Sequence, residues 1–331
     1  MKKMKKMKKF LMPFIIGLCS CVSEHTDVQV VDEDAKIVEI SIAEMNSDIP
    51  DSRWVCDNSA KYWWKSNDVL GIFPVGKGSQ LEFPVDLGEG ETAQNVRFDG
   101  GGWAFKAGYT YSAYSPFNLL SNRGNQIPFS FAGQSRKMDG NDFDLRDNML
   151  MVAPPTSVLN GFVQFKFYSI EAMMRIDLYD LPIDKTYKSL ALYAASAVIP
   201  QEKVYDIFSM EVNNGIVTIN DNVLSYSDHL EIDLQDATCD VNNNNRIRVW
   251  MGFPAIGTAY GTLRAVVKDS EGNLYTAPVR TNAAGYDIYK NEIKRHSQIG
   301  LRVKEFTPVT DGVSGSIEDW EIGEEILGSA E

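Results

Sequence analysis

Phe162-Val163-Gln164-Phe165-Lys166-Phe167, followed closely by Met174-Arg175-Ile176-Asp177-Leu178-Tyr179, is the stretch that decides the fold. Apolar and polar side chains alternate along it, which sets the two kinds on opposite faces of an extended strand and on no single face of a helix. Outward from it the same period of two recurs in short runs bounded by Gly, Asn, Asp or Pro: Val69 to Phe73, Leu81 to Val85, Tyr109 to Tyr114, Leu190 to Ala194, Gly215 to Ile219, Leu230 to Leu234, Arg246 to Met251, Leu263 to Lys268 and Ile299 to Val303. Turn-forming clusters such as Asp269-Ser270-Glu271-Gly272-Asn273 join them. No dozen residues carry a clean helical stripe with caps, and Asp287 to His296 comes nearest to one. Many short strands with turns between them predict an all-β chain of antiparallel β-sandwiches, two in tandem at this length. Pro154 and Pro155 lack the donors that a central strand needs, so the boundary is expected there, with the Phe162 strand opening the second sandwich. Ser135 to Asp147, rich in Asp and Gly, reads as an exposed polar loop.

The amino end says where the chain works. Met1 to Lys9 carry six lysines, Phe10 to Cys19 form an apolar run of ten residues, and Leu18-Cys19-Ser20-Cys21 follows. That order reads as a secretory signal over residues 1–20. A run this short, broken by Pro13, does not span a hydrocarbon core of about 30 Å. The motif resembles the lipobox of bacterial lipoproteins, in which the cysteine after a small residue receives lipid before cleavage. Cys21 fits that place, with Ser20 before it and Leu18 three back, whereas Cys19 would put bulky Leu18 at the cleavage point. An ordinary secretory signal with incidental cysteines is the plainer alternative. The leader holds no acid, so its removal takes the net charge from −13 to −19. Such a field excludes nucleic acid as the expected partner, since that needs clustered Lys and Arg, and it keeps a surface protein soluble. Beyond the leader only Cys56 and Cys239 remain; an oxidising compartment permits a disulfide, but two unpaired thiols are the expectation.

Chemistry is not signalled. His25, His229 and His296 fall in no metal or triad spacing, although His229 and Glu231 share a strand face. Gly71 to Lys77 imitates the start of a phosphate loop, but Gly78 stands where a Ser or Thr must hold magnesium. Asp240-Val241-Asn242-Asn243-Asn244 places oxygens at alternate positions, yet no Gly stands at the sixth and no Glu at the twelfth, so it reads as a hairpin connection rather than a calcium loop. Asp139, Asp142, Asp144 and Asp147 are read in the same way. No cofactor is expected and no enzyme is indicated. Trp54, Tyr62, Trp63 and Trp64 could stack on sugar rings, which gives a rival reading as a glycan-binding surface lipoprotein; core packing explains alternating aromatics at least as well.

Several segments, taken in order, resemble the fimbrillin-like (Mfa-like) family of Bacteroidetes fimbrial subunit and anchor lipoproteins. Trp63, Trp64, Asn67, Asp68, Gly71, Ile72 and Phe73 match its tryptophan and Asn-Asp pair leading into Gly-Ile-Phe. Tyr111 to Phe117 resembles its aromatic strand end, and Asp147 to Ala153 the segment closing its first domain. Phe165 to Phe167 with Met173 to Asp177 resembles a later strand pair, with Tyr168 departing from the usual histidine; Ile317 to Gly323 resembles the closing Ile-x-x-Trp-x-x-Gly. The resemblance implies two transthyretin-like sandwiches, residues 21–157 and 158–331, on a cell-surface protein anchored by lipid to the outer membrane. It implies a fimbrial subunit, tip or anchor that joins other subunits by donor-strand exchange and serves adhesion to a host or bacterial surface. Family precursors are cut after an arginine, which here is Arg53; a cut before Trp54 would release residues 21–53, including the strand-like Ile37-Val38-Glu39-Ile40-Ser41-Ile42. The donor strand would be 313–326, carrying Ile317, Trp320 and Ile322. Equally, Arg53 is a solvated loop residue and Ile37 to Ile42 the permanent first strand.

Overall fold

The computed structural model describes residues 37–42, 46–47, 63–66, 68–77, 79–99, 104–118, 125–139, 142–146, 148–194, 198–240, 245–255, 263–279 and 293–309, and the described residues form strands, turns and connections without a helix. Two large sheets dominate. A seven-stranded sheet runs in the order β5 (Leu81–Pro84), β4 (Val69–Pro74), β8 (Thr110–Ser115), β13 (Met151–Ser157), β14 (Phe162–Ser169), β1 (Ile37–Ile42) and β7 (Asn95–Asp99). A six-stranded sheet runs β10 (Gln134–Ser135), β19 (His229–Thr238), β16 (Thr186–Ala194), β21 (Leu263–Asp269), β22 (Leu274–Pro278) and β24 (Thr307–Pro308). Smaller sheets pair β2 (Asn46–Ser47), β23 (Ser297–Val303), β15 (Ala172–Leu178) and β20 (Ile247–Phe253), and β18 (Ile216–Ser227), β17 (Ile199–Asn213) and β9 (Gln126–Ser130). Two antiparallel two-stranded pairs complete the set, β11 (Lys137–Asp139) with β12 (Asp142–Asp144) and β3 (Trp64–Lys65) with β6 (Thr92–Ala93).

The period of two explains the packing. On β15 the apolar set Met174, Ile176 and Leu178 faces Leu190 and Leu192 of β16, Ile232 of β19 and Val267 of β21 in one buried cluster, so the four-stranded and six-stranded sheets form a sandwich. A second cluster joins Ile40, Leu70, Ile72, Val163, Phe165 and Phe167 of the seven-stranded sheet to Trp64 and Phe105. That cluster also takes in Met173 and Trp250, from the other face of the four-stranded sheet. A third packs Phe73, Tyr114 and Val152 against Tyr205, Ile207 and Val217 of the three-stranded sheet. The seven-stranded sheet is therefore covered on both faces.

Three expectations change. Pro154 and Pro155 lie inside β13, where its register against β8 shifts between Ala153 and Thr156; a bulge is where a strand tolerates proline, so the pair marks an irregularity and not a gap between sheets. Correspondingly β14 does not open a separate sheet: it pairs antiparallel with β13 and parallel with β1. Opposite the apolar face of β15, Arg175 and Asp177 are buried too, and Arg248 of β20 grips Asp177 with bonds of 2.6 and 3.1 Å. Burial and the neighbouring guanidinium groups lower Arg175 to about 10, against the pull of Asp177.

Ser135 to Asp147 is likewise no loose loop within its described residues. Gln134 and Ser135 are buried, β11 pairs with β12, and three side chains from this region reach across to the backbone of β20. Arg136 Nε donates to Arg248 O at 2.9 Å and Asn148 Nδ2 to Trp250 O at 3.1 Å. Gln134 donates to Gly252 O at 3.0 Å and accepts from Gly252 N at 2.7 Å. Gly252 is required there, since a Cβ on it would stand 2.1 Å from Asn148 O. Gly252→Ala is expected to cost about 1–3 kcal/mol through forced separation of these backbones, read as a lower midpoint in urea unfolding with unchanged slope.

Candidate functional site

For a protein built of sheets, the surfaces that can act are the strand edges, because an unpaired row of N–H and C=O groups is a template for another strand. Most edges among the described residues are blunted. β2, β10 and β24 are two residues long, β5 is four residues ending in Pro84, and β9 contains Pro128. β7 is five residues long with Arg97 exposed. The β20 edge is capped by Arg136, Asn148 and Gln134 as described. The exception is β18, twelve residues long, at the edge of its sheet with β17 as its one neighbour.

A second feature is the slot held by β1. Ile37 to Ile42 runs parallel to β14 and antiparallel to β7, so that Ile40 faces Phe165 on one side and Val96 on the other. Ile40 is fully buried in the second core cluster. A few residues on, Asn46 and Ser47 pair in parallel with Ser297 and Gln298 of β23. One segment thus completes two sheets, and its loss would unpair β14, β7 and β23 together. The expected first strand over Ile37 to Ile42 lies where the alternation placed it.

The other residues singled out in sequence fall differently. Cys21, Arg53, Trp54, Ile317, Trp320 and Ile322 lie outside the described residues, as do His25, Cys56, Tyr62, Gly78 and Asp147. Cys239 is a free, buried thiol, raised by burial, with its sulfur 3.8 Å from Leu181 O. Trp64 is buried edge-on against Phe167, whereas Trp63 is 38% exposed. His229 Nδ1 lies 2.7 Å from Asp228 Oδ1 and its ring tilts against Tyr193, while His296 packs on Tyr168. Asp144 is occupied by the Arg146 guanidinium, and Asp240 forms an isolated antiparallel backbone bridge with Arg246, its N–H donating to Arg246 O at 3.1 Å. The turn after β4 leads into β5, not a helix.

One cluster escaped the sequence reading altogether. Glu171, in the corner between β14 and β15, is buried and accepts from Lys203 Nζ at 3.1 Å, from Arg295 at 3.1 Å, from the Tyr205 hydroxyl and from Ala255 N. Asp221 of β18 stands 2.9 Å from the same ammonium and 3.1 Å from Arg295. Two carboxylates face two cations, so the formal charge cancels and the desolvation cost of burial is offset by mutual pairing. Burial alone would raise Asp221, but Lys203 and Arg295 hold it below the ordinary carboxylate value. Burial and Glu171 push the Tyr205 hydroxyl well above its usual value. The signal available was a lysine at an inward position of an alternating strand, Lys203 between Tyr205 and Ile199, which looks like a broken pattern until a buried acid is found opposite it.

No family model and no curated protein matches the sequence. Solved structures do. A candidate cell adhesion protein from Bacteroides uniformis superposes with a TM-score of 0.51 at 11% identity, covering 83% of this chain and 96% of that one. A second candidate cell adhesion protein, from Bacteroides ovatus, gives 0.42 at 12% identity with 83% and 96% coverage. The C-terminally truncated tip fimbrial protein Mfa3 from Porphyromonas gingivalis gives 0.38 at 11% identity with 83% and 96% coverage. The first of these establishes a shared all-β sandwich fold over most of both chains.

Replacing Lys203 by Met leaves Glu171 and Asp221 short of a cation and is expected to cost about 3–5 kcal/mol; Glu171→Gln should be similarly harmful, and the double variant less than additive in a denaturant cycle. Because Asp221 lies below its unfolded value of 3.8, its contribution is complete above that pH and lost as pH falls below it. Acid titration of stability should show this limb, flattened in Asp221→Asn.

Proposed function

We propose that this chain is a surface component of a bacterial fimbrium, a subunit, tip or anchor, with a structural and adhesive role and no catalysis. The observation that carries the reading is the slot of β1: a segment between the leader and Arg53 fills an interior position in a sheet, and in this reading another strand of matching alternation takes its place. The likeness in fold to a candidate cell adhesion protein supports it. In this reading Cys21 carries the lipid that tethers the protein to the outer membrane, and a cut between Arg53 and Trp54 removes β1 and β2 with the tether. The vacated rows of β14 and β7, and the apolar hole left by Ile40, then receive the 313–326 strand of a neighbouring subunit through Ile317, Trp320 and Ile322. In this reading residues 21–157 and 158–331 are the two modules.

An arginine-specific protease acting on the purified lipoprotein should yield one product that begins at Trp54, identified by amino-terminal sequencing. Scattered cuts within the folded strands, or full resistance, overturn the maturation step.

A further inference from the structure

We infer that β18 is a self-association edge, through which a second copy of this chain pairs antiparallel to extend the β18–β17–β9 sheet. β18 is the longest open edge among the described residues and contains no Pro, Lys or Arg. Its single charge, Asp221, is already matched by Lys203 and Arg295. The outward side chains read Ile216, Thr218, Asn220, Asn222, Leu224 and Tyr226, all uncharged in a chain of net charge −13. Three of them are large and unusually exposed, Ile216 at 65%, Leu224 at 60% and Tyr226 at 58%. A long, uncharged edge of this kind is what sheet proteins otherwise suppress with short strands, proline or charge, as this one does at its other edges.

The occupant follows from the order of those residues. A two-fold interface must be complementary to itself, and this strand has aliphatic groups near both ends with polar uncharged groups between. Pairing about Asn220 sets Ile216 against Leu224 of the partner strand, Thr218 against Asn222, and Asn220 against its own copy. On the other face it sets Val217 against Val223 and Ile219 against Asp221, so no acid meets an acid. Cross-strand apolar pairs of this sort contribute a few tenths of a kcal/mol to about 1 kcal/mol each, added to the main-chain hydrogen bonds. The backbone N–H of Asn220 is already directed to Ser209 Oγ at 2.8 Å on the β17 side, which makes position 220 a non-hydrogen-bonded site towards the partner, where opposing side chains come closest.

Sedimentation velocity of the purified full chain in detergent should show a dimer that dissociates on dilution. Ile216→Lys with Leu224→Lys, placed on exposed positions, should shift the population to monomer at the same concentration while leaving the melting temperature unchanged. Asn220→Cys should form a 220–220 disulfide under mild oxidation, identified by mass spectrometry, whereas Glu271→Cys, at the β21–β22 turn, should not. A wild-type chain that stays monomeric at all concentrations overturns the inference, including the case in which its own tail occupies the edge. A dimer indifferent to the lysine pair, or Asn220→Cys no more cross-linked than Glu271→Cys, overturns it equally.

Discussion

Every backbone N–H and C=O that folding removes from water must be paired, and in an all-β chain that demand falls hardest on the last strand of each sheet. The β20 edge shows how far this chain goes to meet it. Arg136, Asn148 and Gln134 stand in for an absent neighbouring strand, each placing a side-chain group where a ladder partner would be, at alternate residues 248, 250 and 252. With that edge closed, the four-stranded sheet can be buried on both faces, with Met174 and Ile176 in one core and Met173 and Trp250 in the other. The arrangement of the remaining sheets depends on that doubly buried layer.

The charged cluster around Glu171 solves a related problem. Where β14 turns into β15, Glu171 meets Lys203 and Tyr205 of β17 and Arg295, and carbonyls around this point need donors. Arg295 supplies one to Ile170 O at 2.8 Å while holding Glu171, and Lys203 supplies another to Ala255 O at 3.1 Å. The cluster therefore ties five separate stretches of chain to one point: Ile170–Glu171, Lys203–Tyr205, Asp221, Ala255 and Arg295. Apolar side chains of the same volume could fill the space but could not satisfy those carbonyls.

Strand positions were largely legible because burial on one face imposes alternation: Ile37 to Ile42, Leu263 to Lys268 and the turn at Asp269 to Asn273 are all found where the pattern put them. What could not be read was any place where a polar side chain does the work of backbone or of core. Arg136 fell within Ser135 to Asp147, which reads as an exposed polar loop; Gln134, Asn148 and Lys203 carried no local signal of their partners; and the alternation set Arg175 and Asp177 opposite the apolar face without showing that they are buried. In each case the partner lies 30 or more positions away or on another strand, beyond the reach of local periodicity. Pro154 and Pro155 misled for the opposite reason, since a bulge relieves the constraint that local rules assign to proline. The β1 slot was legible as a strand, but its parallel partner 125 residues on, Phe162 opposite Ile37, was not.

The row of bonds along β20 also has a mechanical meaning. They lie side by side at successive alternate residues, roughly across the strand axis, so a pull directed along β20 strains them all at the same moment instead of opening them one after another. Gly252, with no side chain to wedge the seam apart, keeps that row closely seated. A sheet fastened in this way yields to tension only when several bonds fail together.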